Sequence, residues 1–362
     1  MLVTTLNRYL IKNTLIGILL SFTVISSLII LVDYVEGTRK FSTNSDITSI
    51  TVFIFTLLRT PQLLEETLPF IVLFGIMGTL HNFNQKNELI VLRAAGLSVW
   101  KFLSPIIIIS GLFGILWSTF LNPLASYSSS TQSEILNKLG SEFETTDIWL
   151  REGSQKNKVI IHAEKYNDAI KTIFDVTYFI FDIDTGDELK FVSRIDASRA
   201  ILLKSGYWQL HDVNEVDTHG LMKQKNTMSF ATTVTEIDLI NSTNKKNLPS
   251  FWEIKNEIRK RENNGFSIVL LDIQYNELLS LPLMLIAMSI LAACVTLNHS
   301  RQGNTAKLII LGVLLGFAIY ISNNLMISFA KSETIPPFFA IWFVPTFTLL
   351  FGTIYLSLIE DG

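Results

Sequence analysis

Glu88, Leu92 and Ala95 stand at i, i+4 and i+7, one stripe of a short helix that ends at Gly96. A carboxylate at Glu88 suits the positive N-terminal end of such a helix, Gly96 suits its C′ position, and Ser98 suits the cap of the next helix. Together with Arg93 these residues offer contact chemistry, a rigid polar knob for a partner to grip, and no bond-making chemistry. The alternative is an ordinary interfacial turn in which Arg93 and Lys101 only hold the orientation of the chain.

A second constellation is Arg39 with Lys40, just past an uncharged run. Arginine grips phosphate in a bidentate manner and lysine supplies a point charge, so the pair suits an anionic head group at a membrane surface. The competing reading is two long basic side chains that snorkel at a helix end. Glu65, Glu66, Asp272 and Glu277 border apolar runs and belong in the headgroup layer or facing other helices, because a charge at the bilayer centre costs about 2.5 to 3.5 kcal/mol or more.

Catalytic and metal chemistry find no support. The sequence lacks GxxxxGK[ST], HExxH, CxxC, GxSxG and GxGxxG patterns, and its 5 histidines have no ligand spacing. No cofactor, no metal and no nucleic-acid partner is expected. Work done by this chain would draw its energy from another.

The elements that position these residues are membrane helices. A chain with 49% hydrophobic and 17% charged residues and a mean hydropathy of +0.39 is too apolar for a soluble protein of this length. A crossing needs roughly 20 apolar residues. Six runs qualify: 14–32, 68–83 with an upstream extension over 47–64 kinked at Pro61 and Pro69, 102–121, 278–297, 308–330 and 338–358. The first lacks a cleavage site and is too long for a signal peptide. Arg8, Lys12, Lys86, Arg93, Lys101, Arg301 and Lys307 fall on one side, which predicts cytoplasmic termini; Arg39 and Lys40 run against that rule.

Residues 128–266 read differently. Short runs rich in Val, Ile, Thr, Phe and Tyr, at 158–163, 171–181, 189–195, 198–203, 207–213 and 227–239, are separated by turn clusters and predict an antiparallel sandwich or open jelly roll. A charged helix over 252–261 leads back to the membrane. The expected organisation is therefore 1–127 with helices one to three and a connecting helix at about 86–96, a β-rich insert over 128–266, and helices four to six over 267–362. Cys294 is the single cysteine and reads as a small packing residue. Gly312 and Gly316 form a GxxxG stripe suited to close helix packing. Phe22, Ile25 and Ile29 share one helical face, and Phe317, Tyr320 and Asn324 another; either stripe suits packing or the lining of an apolar cavity.

NELIVLRAAGLS over 87–98 resembles the cytoplasmic coupling helix of a known family, the permease subunits of the lipopolysaccharide exporter of Gram-negative bacteria, LptF/LptG. RYLIK at 8–12, Asp33, LPFIVLFGIMGTL at 68–80, YWQL at 207–210, and Gly312, Gly316, Phe317 and Tyr320 match as well, and the RAAG form at 93–96 is more similar to LptG than to LptF. The resemblance implies six transmembrane helices in a 3+3 arrangement around a periplasmic jelly-roll-like domain, in the bacterial inner membrane. It implies a homologous LptF-like permease, two copies of an LptB-like ATPase meeting Glu88, Leu92, Arg93, Ala95 and Gly96, and an LptC-like membrane-anchored bridge. Lipopolysaccharide would be the cargo, extracted from the outer leaflet, with head groups near Arg39 and Lys40. The alternatives are an ion-coupled secondary transporter, which requires midplane carboxylates and inverted repeats, and a membrane sensor, which requires an internal output domain.

Overall fold

The computed structural model describes residues 5–41, 48–138, 144–153, 157–167, 172–183, 189–203, 206–218, 222–232, 249–263, 267–298 and 305–361. It divides into a helical unit, residues 1–132 with 248–362, and a β unit, residues 133–247.

The helical unit contains 6 helices long and apolar enough to cross a membrane. α1 (Thr5–Phe41) and α2 (Ser49–Gln85) each run 37 residues, well beyond their apolar centres. They form an antiparallel hairpin, seen in the pairings Gly17 with Gly75, Asp33 with Arg59 and Tyr34 with Phe53. α2 is unbroken through Pro61 and Pro69. Glycine permits the closest approach: a Cβ on Gly75 would lie 2.8 Å from Ile18 Cα and 2.9 Å from the Gly17 carbonyl oxygen.

After the short α3 (Glu88–Ala94) comes α4 (Val99–Leu116), which widens into a π-helical turn over Trp117–Leu121 and continues as α5 (Asn122–Lys138). The chain re-enters the helical unit through α6 (Phe251–Asn263) and closes with α7 (Val269–Asn298), α8 (Thr305–Lys331) and α9 (Pro337–Asp361). α7 is the central post, with 72% of its apolar window buried, against 11% for α1 and 17% for α8. Gly114 of α4 meets its backbone at Pro282, where a Cβ would lie 2.6 Å from Pro282 Cα. Leu68, Ile71, Val72, Leu73, Ile76 and Leu80 of α2 are fully buried in the same core.

The β unit holds β1 (Glu144–Gly153), β2 (Asn157–Asn167), β3 (Thr172–Ile183), β4 (Leu189–Leu203), β5 (Tyr207–Asp217) and β6 (Met222–Ala231). Among the described residues they form one antiparallel sheet in consecutive order, an open meander. One face carries the core, with Ile161, Ile173, Tyr178, Ala200, Trp208 and Leu210 fully buried. Inward alternation skips a residue along one line across the sheet, from Ile173 to Val176, Ala197 to Ala200 and Leu210 to Val213. Asp175 and Asp212, on that line, take positive φ values of 52° and 54°, a conformation that Asp tolerates better than branched residues. β4 crosses this line unbroken as a 15-residue strand, where the sequence suggested two strands. Gly206, at φ +76°, turns β4 into β5. Of the run at 227–239, the part beyond Thr232 lies outside the described residues.

Candidate functional site

α3 is built by its ends. α2 stops as the Lys86 N–H bonds the Asn82 carbonyl, and Asn87 turns the chain in the left-handed region at φ +60°. α3 closes with the Leu97 N–H on the Leu92 carbonyl at 3.1 Å, around Gly96 at φ +75°, the six-to-one bond of a Schellman motif. Ser98 Oγ then accepts from the Trp100 N–H and starts α4.

This geometry splits the faces of α3. Leu89 is buried and Leu92 packs partly buried against the helical core, so Leu92 faces inward. Ile90 and Val91, at 59% and 65% exposure, project from the unit with Ala95 and Gly96 exposed beside them. The sequence singled out Leu92 and missed Ile90 and Val91; two adjacent aliphatic residues in a two-turn helix were the available signal. Of Arg93 the backbone belongs to α3, and its side chain lies outside the described residues. Glu88 Oε1 accepts a 3.0 Å hydrogen bond from the Tyr9 hydroxyl near the start of α1, and the Tyr9 ring leans on Phe83 with centroids 5.7 Å apart.

Arg39 sits exposed in the last turns of α1, at the opposite end of the helix from Tyr9. Lys40 is in the same turn, and its side chain lies outside the described residues. Just below them Asp33, with 12% of its side chain exposed, pairs with Arg59 of α2 at 2.9 Å. The two constellations thus mark opposite ends of the α1–α2 hairpin, separated by about 45 Å of helix between residues 9 and 39.

Two of the four acidic residues, Glu65 and Asp272, are held by hydrogen bonds within the helical unit. Glu65, facing the bundle, accepts from Trp117 Nε1 at 3.2 Å and from Asn122 Nδ2 at 2.9 Å. Asn122 Oδ1 accepts from the Phe251 N–H, and Trp252 Nε1 donates to the Thr119 carbonyl. Ser118 Oγ donates to the Leu278 carbonyl at 2.7 Å. The π turn therefore presents Trp117, Ser118, Thr119 and Asn122 to partners on α2, α6 and α7, and sequence spacing gave no sign of it. Asp272 accepts from Asn276, whose Oδ1 receives Trp342 Nε1. Glu66 is exposed and Glu277 half-buried.

Gly312 and Gly316 of α8 lie against α2, where added Cβ atoms would come 2.7 Å from Met77 Sδ and 2.9 Å from Leu73 Cδ2. Phe22, Ile25 and Ile29 turn onto the bundle core, with Phe22 6.3 Å from Trp117. The outward face of α1 is instead Leu20, Val24, Leu28, Leu31 and Val35. Phe317 and Tyr320 are exposed on α8, with Tyr320 reaching Phe70. Among the described residues no cluster of His, Cys, Asp and Glu is placed to hold a metal.

A model of one protein family, described as "Lipopolysaccharide export system permease LptF/LptG", matches residues 8–358. A search of the curated proteins finds no match.

Proposed function

The chain belongs to the LptF/LptG family of lipopolysaccharide export permeases, a multi-pass inner-membrane transport subunit, and from that premise we propose that α3 is the surface through which a cytoplasmic ABC ATPase drives it. The observation that carries this reading is the split face of α3. Leu89 fixes the helix to the bundle while Ile90 and Val91 stand 59% and 65% exposed. Apolar side chains on a turn rich in Lys86, Arg93 and Lys101 suit a protein pocket better than water.

In this reading α3 and both termini face the cytoplasm, supported by the basic residues on that side, and the β unit is periplasmic. α1 and α8, each with most of its apolar surface uncovered, flank α2 and turn toward a homologous LptF-like permease and the lipid between them. The RAAG form favours the LptG type; the family match takes in both. Arg39 and Lys40, at the outer end of α1, meet the phosphates of lipopolysaccharide taken from the outer leaflet, and an LptC-like bridge receives it. The carboxylate that ion coupling would use, Glu65, is engaged by Trp117 and Asn122 of its own chain.

The test is disulfide or bifunctional crosslinking from a cysteine at Ile90 in membranes of cells expressing the full complex. Ile90→Cys should capture a P-loop ATPase identified by mass, and Glu88→Ala should lower its capture while membrane insertion persists. If Ile90→Cys captures no ATPase, α3 is not the coupling surface.

A further inference from the structure

α3 is bound to the rest of the chain at two levels. It follows α2 through Asn87, and it also holds α1 through the Glu88 to Tyr9 hydrogen bond at 3.0 Å. The second link joins elements 79 residues apart in sequence. A displacement of α3 therefore acts on two helices.

α1 is suited to carry that displacement. It is one unbroken helix of 37 residues, and only 11% of its apolar window is buried. Its tightest contact with α2 is backbone to backbone: a Cβ on Gly17 would run into Thr79 Oγ1 and lie 2.6 Å from the Gly75 oxygen, with the reciprocal approach at Gly75. Thr79 Oγ1 also reaches the Asn13 carbonyl at 3.4 Å. The two backbones come closest at Gly17 and Gly75, so this contact is the natural fulcrum for a tilt of α1 against α2.

Distances along the rod then set the mechanics. Tyr9 lies about 12 Å from Gly17 along the helix, and Arg39 about 33 Å on the other side. For a stiff rod turning at Gly17, a 1 Å shift at Tyr9 becomes about 2.8 Å at Arg39. Asp33 and Arg59 hold the long arm against α2 with an ion pair whose arginine side chain is 40% exposed, a contact weak enough to open.

We propose that Tyr9 is a positioning residue tying α3 to α1, and that α1 pivots on the Gly17–Gly75 contact so that movement of α3 shifts Arg39 at the far membrane face. This rests on the coupling role of α3 given above. The hydroxyl of Tyr9 is the working part; its ring on Phe83 only seats it.

The experiment uses the whole complex, with its partner subunits, in vesicles of phosphatidylethanolamine and phosphatidylglycerol containing lipopolysaccharide. Tyr9→Phe keeps the ring on Phe83 and removes one hydrogen bond to a charged acceptor. The ATP hydrolysed per lipopolysaccharide released should rise about fivefold, the modest effect expected of a bond that solvent screens. A merely structural defect lowers hydrolysis and release together and leaves the ratio unchanged, and an unchanged ratio overturns the proposal. A second measurement reads the motion directly. Spin labels at Val35 and Leu57, both exposed, should change separation between nucleotide-free and ATP-bound states by about 2 Å, and Tyr9→Phe should reduce the change. No change in the parent complex overturns the pivot. The Ile90→Cys crosslink distinguishes the two levels: its loss in the parent sinks the coupling reading, whereas a retained crosslink with an unchanged ATP ratio sinks the Tyr9 link alone.

Discussion

Gly75→Ala against Gly78→Ala is a comparison in which one helix serves as its own control. Both glycines lie in α2, about one turn apart. At Gly78 a Cβ meets nothing within 4 Å, so alanine should be neutral or stabilise by up to about 1 kcal/mol through its higher helix propensity. At Gly75 the same Cβ falls 2.8 Å from Ile18 Cα, 2.9 Å from Ile18 N and 2.9 Å from the Gly17 oxygen. All three are backbone atoms, so no rotamer change relieves the overlap and the helices must separate by several tenths of an ångström. Overpacking of a tight core costs about 1–3 kcal/mol, and a backbone clash belongs at the upper end. The two variants should therefore differ by about 3 kcal/mol in unfolding free energy. Tryptophan fluorescence during denaturation in mixed micelles measures it, with crosslinking between cysteines at Val35 and Leu57 as a local report on the α1–α2 hairpin. Equal stability of the two variants would refute the claim that α1 and α2 meet backbone to backbone at this point.

Glu65→Leu should cost about 3 kcal/mol by orphaning Trp117 Nε1 and Asn122 Nδ2, with Glu65→Gln much milder, in the same micelle denaturation; equal losses would mean the network carries no weight. A double-mutant cycle of Asp33→Asn with Arg59→Gln should give a coupling below about 1 kcal/mol, because the pair is partly solvated; a coupling above about 3 kcal/mol would contradict a contact that opens during transport. Gly316→Leu should destabilise by about 1–3 kcal/mol while Gly316→Ala is better tolerated, since the neighbours are side-chain atoms of Leu73 and Phe70 and not backbone; indifference to leucine would remove α8 from its place on α2.

The six membrane helices were legible because a run of uncharged residues has few other physical outcomes, and the family resemblance read from 87–98 agrees with the match over 8–358. Helix ends were less so. α1 extends to Thr5 and Phe41 because polar residues at both ends continue the backbone hydrogen bonding that the apolar centre begins. Two strands were read where β4 is one, because Asp196 breaks the apolar pattern; its carboxylate instead accepts from Thr177 across the sheet at 2.8 Å. β1 was missed since Glu144–Gly153 carries too few apolar residues to stand out. Around α3 the capping glycine and serine were visible in the sequence, whereas the exposed pair Ile90 and Val91 and the bond from Tyr9 depend on how the bundle packs.

The π-helical turn at Trp117–Leu121 has a consequence for how this sequence tolerates change in length. Each added residue in a helix advances the facing direction by about 100°, and here the surplus is absorbed in a single wide loop of backbone. Removing one residue from 117–121 would restore regular winding and leave α5 close to its present heading, so Asn122 would still face Glu65 and Phe251, while Ser118 and Thr119 would lose the wide turn that aims them at Leu278 and Trp252. A single deletion within 117–121 should therefore be far better tolerated than one in the regular turns of α4, where the same loss would rotate everything downstream, α5 included, by about 100°.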